Sequence, residues 1–374
     1  VSRVVLVLGR SAGGIGAHVR SLAAELLALG DDVRVVAPGS THAVFDLPGP
    51  VPWWPGRTGA GPTVESTTAV RRLLSGADAV HAHGHQAGVV AAALLAGVGR
   101  ARPRLATSLH NELRGDPRSA RHRFGTLAVR TALSRADLVT GASTDLVDLA
   151  EQLGARRAAI DEVPSPLVPG LLATDRGEWR AARRDALLRA HGLPTDRPVV
   201  LTVARLAPQK RLEDVLAVAD LVARRSGGRG GYPFVVVGGG DDDLRRRLVS
   251  TAGPDVHLLG PSDSVVGWLL AADLFLLTSE WEARALVVQE AMAAGLPVVA
   301  TRTGGLPGLV EGVGALAPVG DVDALAARVR DLLRDTQSRR EAGERGRERA
   351  RTWPSTHERA ARWHTWYEGG PDVP

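Results

Sequence analysis

One lysine, Lys210, stands among 46 basic residues, and the other 45 are arginine. The bias resembles that of a high-GC bacterial genome, in which arginine replaces lysine wherever it will serve. A compact ammonium and a planar guanidinium are not equivalent when they share one small polyanion. A lysine kept five residues after Arg205, just past the apolar run Val199–Val203, can therefore hold a diphosphate together with that arginine. A surviving lysine at a helix start would look the same in this segment alone.

Glu282 and Glu290 form a second pair. The run Leu274–Leu277 reads as a buried strand, followed by the polar loop Thr278-Ser279-Glu280-Trp281-Glu282 and then a helix that carries Glu290. Eight helical steps would put the two carboxylates about 12 Å apart along the axis, enough to reach two sugars of one nucleotide-sugar. A capping carboxylate and an exposed helix glutamate would leave the same letters. Glycine clusters follow two strands, Gly13-Gly14-Ile15-Gly16 and Gly238-Gly239-Gly240, where backbone N–H groups can approach phosphate. Neither completes the dinucleotide fingerprint: Val19 and Asp243 stand where the third glycine belongs. The second strand ends Val36-Ala37-Pro38, without an acid for a ribose. A nicotinamide enzyme is disfavoured. Asp241-Asp242-Asp243 contains an Asp-x-Asp able to hold a divalent ion, yet it precedes Leu244-Arg245-Arg246, where acids suit the first turn of a helix.

The elements that must position these residues alternate along the whole chain. Strands are expected at Val4–Leu8, Val33–Ala37, Ala79–Ala82, Leu105–Ser108 and Leu138–Thr140, and then at Val199–Val203, Phe234–Val237, Val256–Leu258, Leu274–Leu277 and Val298–Ala300. Helices are expected at Gly16–Leu29, Gln86–Ala96, Arg118–Ser134 and Thr144–Leu153. The stripe Val19, Leu22, Ala23, Leu26, Leu27 is that of a helix packed on a sheet. The fold class is α/β, with two doubly wound parallel sheets facing a cleft. Three prolines between Val163 and Gly170 break the pattern. The expected layout is a domain over 1–165, a linker over 166–195, a second domain over 196–354, and an aromatic tail helix over 355–370 that packs back on the first.

Length and composition fit a two-domain globular protein: 374 residues, 44% hydrophobic, no cysteine. No apolar run reaches the ~18 residues of a membrane span, and no basic leader precedes Val4–Leu8, so a cytoplasmic place is the economical expectation. The net charge is only +5 and aromatics are 4%. Arginines alternate with glutamate, as in Arg347-Glu348-Arg349, so nucleic acid is not an expected partner.

The combined motifs resemble the retaining, nucleotide-sugar-dependent glycosyltransferases of family four, which have the GT-B fold of two Rossmann-like domains. The resemblance rests on Gly13–Val19, His81-Ala82-His83, Ser108-Leu109-His110, Arg205 with Lys210, Gly238–Gly240, Leu259-Gly260, Glu282 with Glu290, and Thr303-Gly304-Gly305. It implies transfer of a sugar from a UDP- or GDP-sugar to a hydroxyl acceptor, with the acceptor on the first domain and the donor on the second. Arg205 and Lys210 would neutralise the departing diphosphate, helped by backbone amides at Gly14, Gly16 and Gly238. Glu290 would take the ribose hydroxyls, Glu282 the donor sugar, His110 would position the reacting groups, and His83 would meet the acceptor. His81 and His85 are expected to be structural, and His18 has no assigned chemistry. No cofactor is expected, and with Arg205 and Lys210 supplying positive charge the expected site is metal-free.

The chain departs from the family at Ala283-Arg284-Ala285, where Gly-Phe-Gly is usual, and at Ala204, Gly308 and Ser165-Pro166. Added bulk and a charge beside the donor sugar fit an unusual, acidic donor or a weakened site. The first alternative is therefore a catalytically silent scaffold that binds a nucleotide or partner. A further one is a peripheral enzyme at the inner membrane face acting on a lipid acceptor: Arg114, Arg118, Arg121, Arg123 and Arg130 accompany Phe124, Leu127 and Leu133, a set suited to anionic lipid or to a solvated arginine-rich helix.

Overall fold

Short valine- and leucine-rich runs become strands because β-branched side chains suit a pleated surface covered on both faces. The computed structural model describes residues 1–11, 13–56, 62–99, 102–113, 115–116, 118–224 and 231–370. Its strands form two all-parallel sheets in two units, Val1–Pro164 with Pro354–Pro374, and Ser165–Trp353. In the first unit β1 (Arg3–Leu8), β2 (Asp32–Ala37), β3 (Pro50–Pro52), β4 (Ala79–His83), β5 (Arg104–Leu109), β6 (Leu138–Gly141) and β7 (Ala158–Ile160) run in the order β3-β2-β1-β4-β5-β6-β7. In the second, β8 (Val200–Val203), β9 (Phe234–Val237), β10 (Val256–Gly260), β11 (Leu274–Leu277), β12 (Val298–Thr301) and β13 (Ala315–Ala317) run β10-β9-β8-β11-β12-β13. Each sheet reverses its order once, at β1/β4 and at β8/β11. Ligands of open α/β sheets sit beyond the carboxyl ends of the strands at such points.

The second sheet shows why the strands are apolar throughout. Phe234 and Val236 enter the core on one face with Leu274 and Leu276, while Val235 and Val237 join Phe275 and Leu277 on the other. The segment 166–195 does not behave as a free linker. It forms the helices Val168–Ala173, Arg176–Trp179 and Asp185–Ala190, and Val168, Leu171, Leu188 and Leu193 are buried in the second unit's core. Arg180 and Arg184 fix it further through Asp273, at 2.8 and 3.1 Å. Ser165 likewise belongs to the second unit.

The tail helix Thr356–Tyr367 opens on a capping box between Ser355 and Glu358. Its aromatic face is buried in the first unit's core, where Trp363 and Trp366 pack with residues such as Val4, Leu6, Val33 and Val35. Trp363 is 0% exposed and its indole N–H donates to Asp161 at 3.2 Å. Trp363→Ala should cost about 3–5 kcal/mol of stability, measured by urea unfolding; a loss below about 1 kcal/mol would contradict this account of the tail.

Candidate active site

The β8/β11 switch point gathers the charged residues of the second unit. Past β8, Ala204 and Leu206 donate backbone hydrogen bonds to Val237 and Gly239 at 3.0 and 2.9 Å, so the two strand ends continue side by side. The approach is too close for a side chain. A Cβ on Gly238 would lie 1.8 Å from the Ala204 carbonyl oxygen, and one on Gly240 would lie 2.4 Å from that of Leu206. Arg205, between these contacts, is exposed, and its guanidinium has no partner among the described residues.

The chain then makes a single 3-10 turn, Pro208–Lys210, and leaves it through Arg211 in the left-handed region (φ 45°). Side chains tie this turn to the loop after β11. The Thr278 hydroxyl lies 3.0 Å from the carbonyl oxygens of both Lys210 and Arg211. The Gln209 amide donates to the Trp281 carbonyl at 2.5 Å, and the Glu280 N–H donates to Gln209 at 2.8 Å. Held this way, the Lys210 ammonium meets Glu282 Oε1 at 2.5 Å, and the Ser279 hydroxyl donates to the same oxygen at 2.6 Å. The loop is braced from β12: Thr301 donates to Ser279 at 2.6 Å and Thr303 to Glu280 at 2.9 Å. Gly304 (φ +50) approaches so closely that a Cβ would sit 1.9 Å from the Glu282 carbonyl oxygen.

Glu290 sits further on, in the helix Leu286–Ala293; Ala283 to Ala285 lie outside that helix, so the two glutamates are not joined by continuous helix. Glu290 is 9% exposed, and burial pushes its carboxyl pKa up while a hydrogen bond from Ser165 opposes the shift. The Ser165 hydroxyl donates to Oε1 at 2.6 Å, and Oε2 has no partner among the described residues. Arg284 does not stand free beside these carboxylates: its guanidinium lies over the Trp353 ring, 5.6 Å from the centroid. Asp241 caps the helix Asp242–Thr251 through the Leu244 N–H at 2.9 Å, and Asp243 pairs with Arg246, so this acidic run serves its own helix.

In the first unit, strand ends β4 and β5 bring His83 and His110 together, rings stacked with centroids 5.6 Å apart and Nδ1 of His83 3.3 Å from Nε2 of His110. His18, on the buried face of the helix Gly14–Ala28, completes the group at 5.5 and 5.6 Å from the other two rings. Arg359, from the tail helix, reaches Nε2 of His18 at 3.1 Å and is held by both oxygens of Asp161. Neither His18 nor Arg359 was expected here from sequence. His83 is only 2% exposed; its Nδ1 faces His110 and its Nε2 has no partner among the described residues. His81 is structural, bonded to Tyr367 and Ser108 at 2.7 Å each. Gly16 departs from its expected role: its N–H donates to the Ser11 hydroxyl and the Gly13 carbonyl, both at 3.0 Å. A Cβ there would collide with the Phe45 ring. Gly14, exposed at the first position of the helix, keeps its place at the helix N-terminus.

The nitrogens of His18, His83 and His110 lie within 4.8 Å of one another, close enough to converge on a metal ion. Any divalent cation there would face the Arg359 guanidinium, which disfavours the arrangement. The same environment keeps the imidazoles neutral. Burial, reinforced by Arg359, lowers His110 to about 4 and takes His18, His81 and His83 well below their ordinary value.

Comparison with known proteins agrees with this arrangement. Residues 13–166 match the family model described as a glycosyl transferase 4-like domain, and residues 183–349 match glycosyl transferases group 1. The chain is 27% identical over 227 residues to the N-acetyl-alpha-D-glucosaminyl L-malate synthase of Bacillus anthracis, covering 59% of this chain and 56% of that protein. It is 31% identical over 240 residues to a GDP-mannose-dependent phosphatidylinositol monomannoside mannosyltransferase of Mycolicibacterium smegmatis, covering 58% and 59%. The chain thus spans a little over half the length of these curated relatives. Among solved structures it is similar to Anabaena HepE in complex with UDP, with a TM-score of 0.79 at 20% identity, covering 98% of this chain and 99% of that one. The two Rossmann-like units define a GT-B protein. Across both units the chain is similar to the group 1 glycosyl transferases.

The neutral histidines make the first unit acid-sensitive. Their folded pKa values lie below the unfolded value near 6.5, so between there and about 4 the unfolded chain binds more protons. Stability should fall as pH drops through that window, by up to about 1.4 kcal/mol per pH unit for each histidine. Hydrogen exchange of β4 and β5 amides, corrected for intrinsic rate, measures it; a flat profile would contradict the neutral cluster.

Proposed function

We propose that this chain transfers a sugar from a UDP- or GDP-sugar to a hydroxyl acceptor, with retention at the anomeric carbon and without a metal ion. The observation that carries the reading is the Lys210–Glu282 pair at the β8/β11 switch point, with Arg205, which has no partner among the described residues, following β8. A diphosphate entering there meets two cations and one carboxylate. It takes Lys210 from Glu282, which frees that carboxylate to accept hydroxyls of the donor sugar. Glu290 accepts a ribose hydroxyl through Oε2, since Oε1 already holds Ser165. The glycine-only approach at Gly238 brings bare backbone to the same strand ends.

In the transfer the bond between the anomeric carbon and the diphosphate oxygen breaks, and the acceptor oxygen bonds to that carbon from the same face. The acceptor proton passes to the departing phosphate. Arg205 and Lys210 stabilise the charge that the phosphate gains, the contribution that dominates such reactions. Neutral His110 orients the reacting groups by hydrogen bonding; buried beside Arg359, it is poorly suited to carrying a proton's charge. The cationic pair supplies the role a divalent ion would otherwise take.

Lys210→Ala should lower kcat by at least ~10²-fold while leaving thermal unfolding within a few degrees of the unaltered protein; near-normal turnover would remove the basis of this reading. Release of nucleoside diphosphate from a panel of donors provides the assay. Chelation by EDTA should leave that rate unchanged, and a loss restored by added Mg²⁺ or Mn²⁺ would refute the metal-free site.

A further inference from the structure

We propose that the helix Ala120–Arg135 seats this protein on an anionic lipid bilayer, and that the groove beside it receives an amphiphilic acceptor with an anionic headgroup. The second half deepens the glycosyl-transfer reading and rests on it; the seating does not. Phe124 is 73% exposed and Leu127 59%, one helical turn apart on the same face. By helix geometry Arg121 flanks this apolar pair on one side, and Arg123 and Arg130 flank it on the other. Leu133, expected to share the face, is instead buried, and Arg114 lies outside the described residues.

The charge on this face is uncompensated. From Arg118 to Arg135 the chain has five arginines and no carboxylate, and none of the five side chains is in an ion pair among the described residues. Other surface helices pair their arginines within the turn, as in Arg340–Glu344 at 2.8 Å and Arg224–Asp220 at 2.9 Å. Codon bias replaces lysine by arginine but does not remove acidic partners, so it does not explain the contrast. Asp137, just past the helix, is held by Arg102 at 2.6 Å. Exposed apolar side chains between unpaired cations match an anionic bilayer surface. Nucleic acid would use the arginines and leave Leu127 in water.

The groove lies on the Arg121 side of the same helix. Its volume is about 1040 Å³, and its walls include Trp54, Val89, Val90 and Val129. Arg10 and Arg121 line it, and among the described residues no carboxylate does. An apolar floor with two guanidinium groups suits an amphiphile that carries negative charge, and Arg121 is shared by the groove and the outer face.

Co-sedimentation of the full chain with phosphatidylcholine vesicles, with and without phosphatidylglycerol, tests the seating. Binding should require phosphatidylglycerol and weaken with salt. Phe124→Ser with Leu127→Ser, and separately Arg123→Gln with Arg130→Gln, should each lower the bound fraction about tenfold. No binding, equal binding to both vesicle types, or displacement from the vesicles by DNA would overturn the seating. Should a variant fail to fold, the lipid and salt dependence of the unaltered protein decides. For the groove, monomeric dihexanoyl phosphatidylglycerol should shift tryptophan fluorescence, and Trp54→Phe should abolish the shift; no response in the unaltered chain would overturn that half. Separate titration with nucleoside diphosphate distinguishes failure here from failure of the glycosyl-transfer reading.

Discussion

The Lys210–Glu282 pair joins two loops that leave adjacent parallel strands in opposite directions, and the second unit's charged site is organised around it. A partly buried ion pair is weak evidence for stability, because desolvation offsets much of the attraction. What this pair does is hold an ammonium and a carboxylate at one point between the two loops. Its surroundings fix that position. The side chains of Thr278 and Gln209 bond the two loops together, Ser279 holds Glu282 within its own loop, and Thr301 and Thr303 brace that loop from the end of β12 and just past it. Glycine at 238 and 304 permits backbone contacts that any Cβ would prevent.

The first unit's strand ends are of another kind. Four buried histidines, kept neutral by desolvation and by one arginine, replace the paired charges of the second unit. Arg359 is itself held by both oxygens of Asp161. The cluster's cost appears as acid sensitivity. Its ring positions are fixed by stacking and by the β4 and β5 register.

Much of the second unit's site could be read from sequence because its residues are local: Lys210 follows β8 directly, and Glu282 and Glu290 follow β11 within one loop and one helix. The ten longer strands could be read for the same reason, most of them as short apolar runs. The short strands β3, β7 and β13 could not. Prolines bound β3, and alanine-rich β7 and β13 are defined by their neighbours rather than by their own propensity. The Arg359–His18 contact spans 341 residues, and nothing local marks it beyond a histidine in an otherwise apolar helix stripe. Ser165 was legible only as a departure from a linker pattern, and its bond to Glu290 is a tertiary fact. Segment 166–195 read as a linker because its prolines were more conspicuous than Leu171, Leu188 and Leu193, which bury it.

If Glu282 competes with the diphosphate for Lys210, removing its charge must help the nucleotide and harm the reaction. Calorimetric titration with UDP and GDP of the unaltered protein, Lys210→Ala and Glu282→Gln tests this directly. The account predicts that at least one of the two nucleotides binds, more weakly by tenfold or more in Lys210→Ala and no more weakly in Glu282→Gln, although the latter transfers sugar poorly. Equal affinity in all three proteins would contradict it.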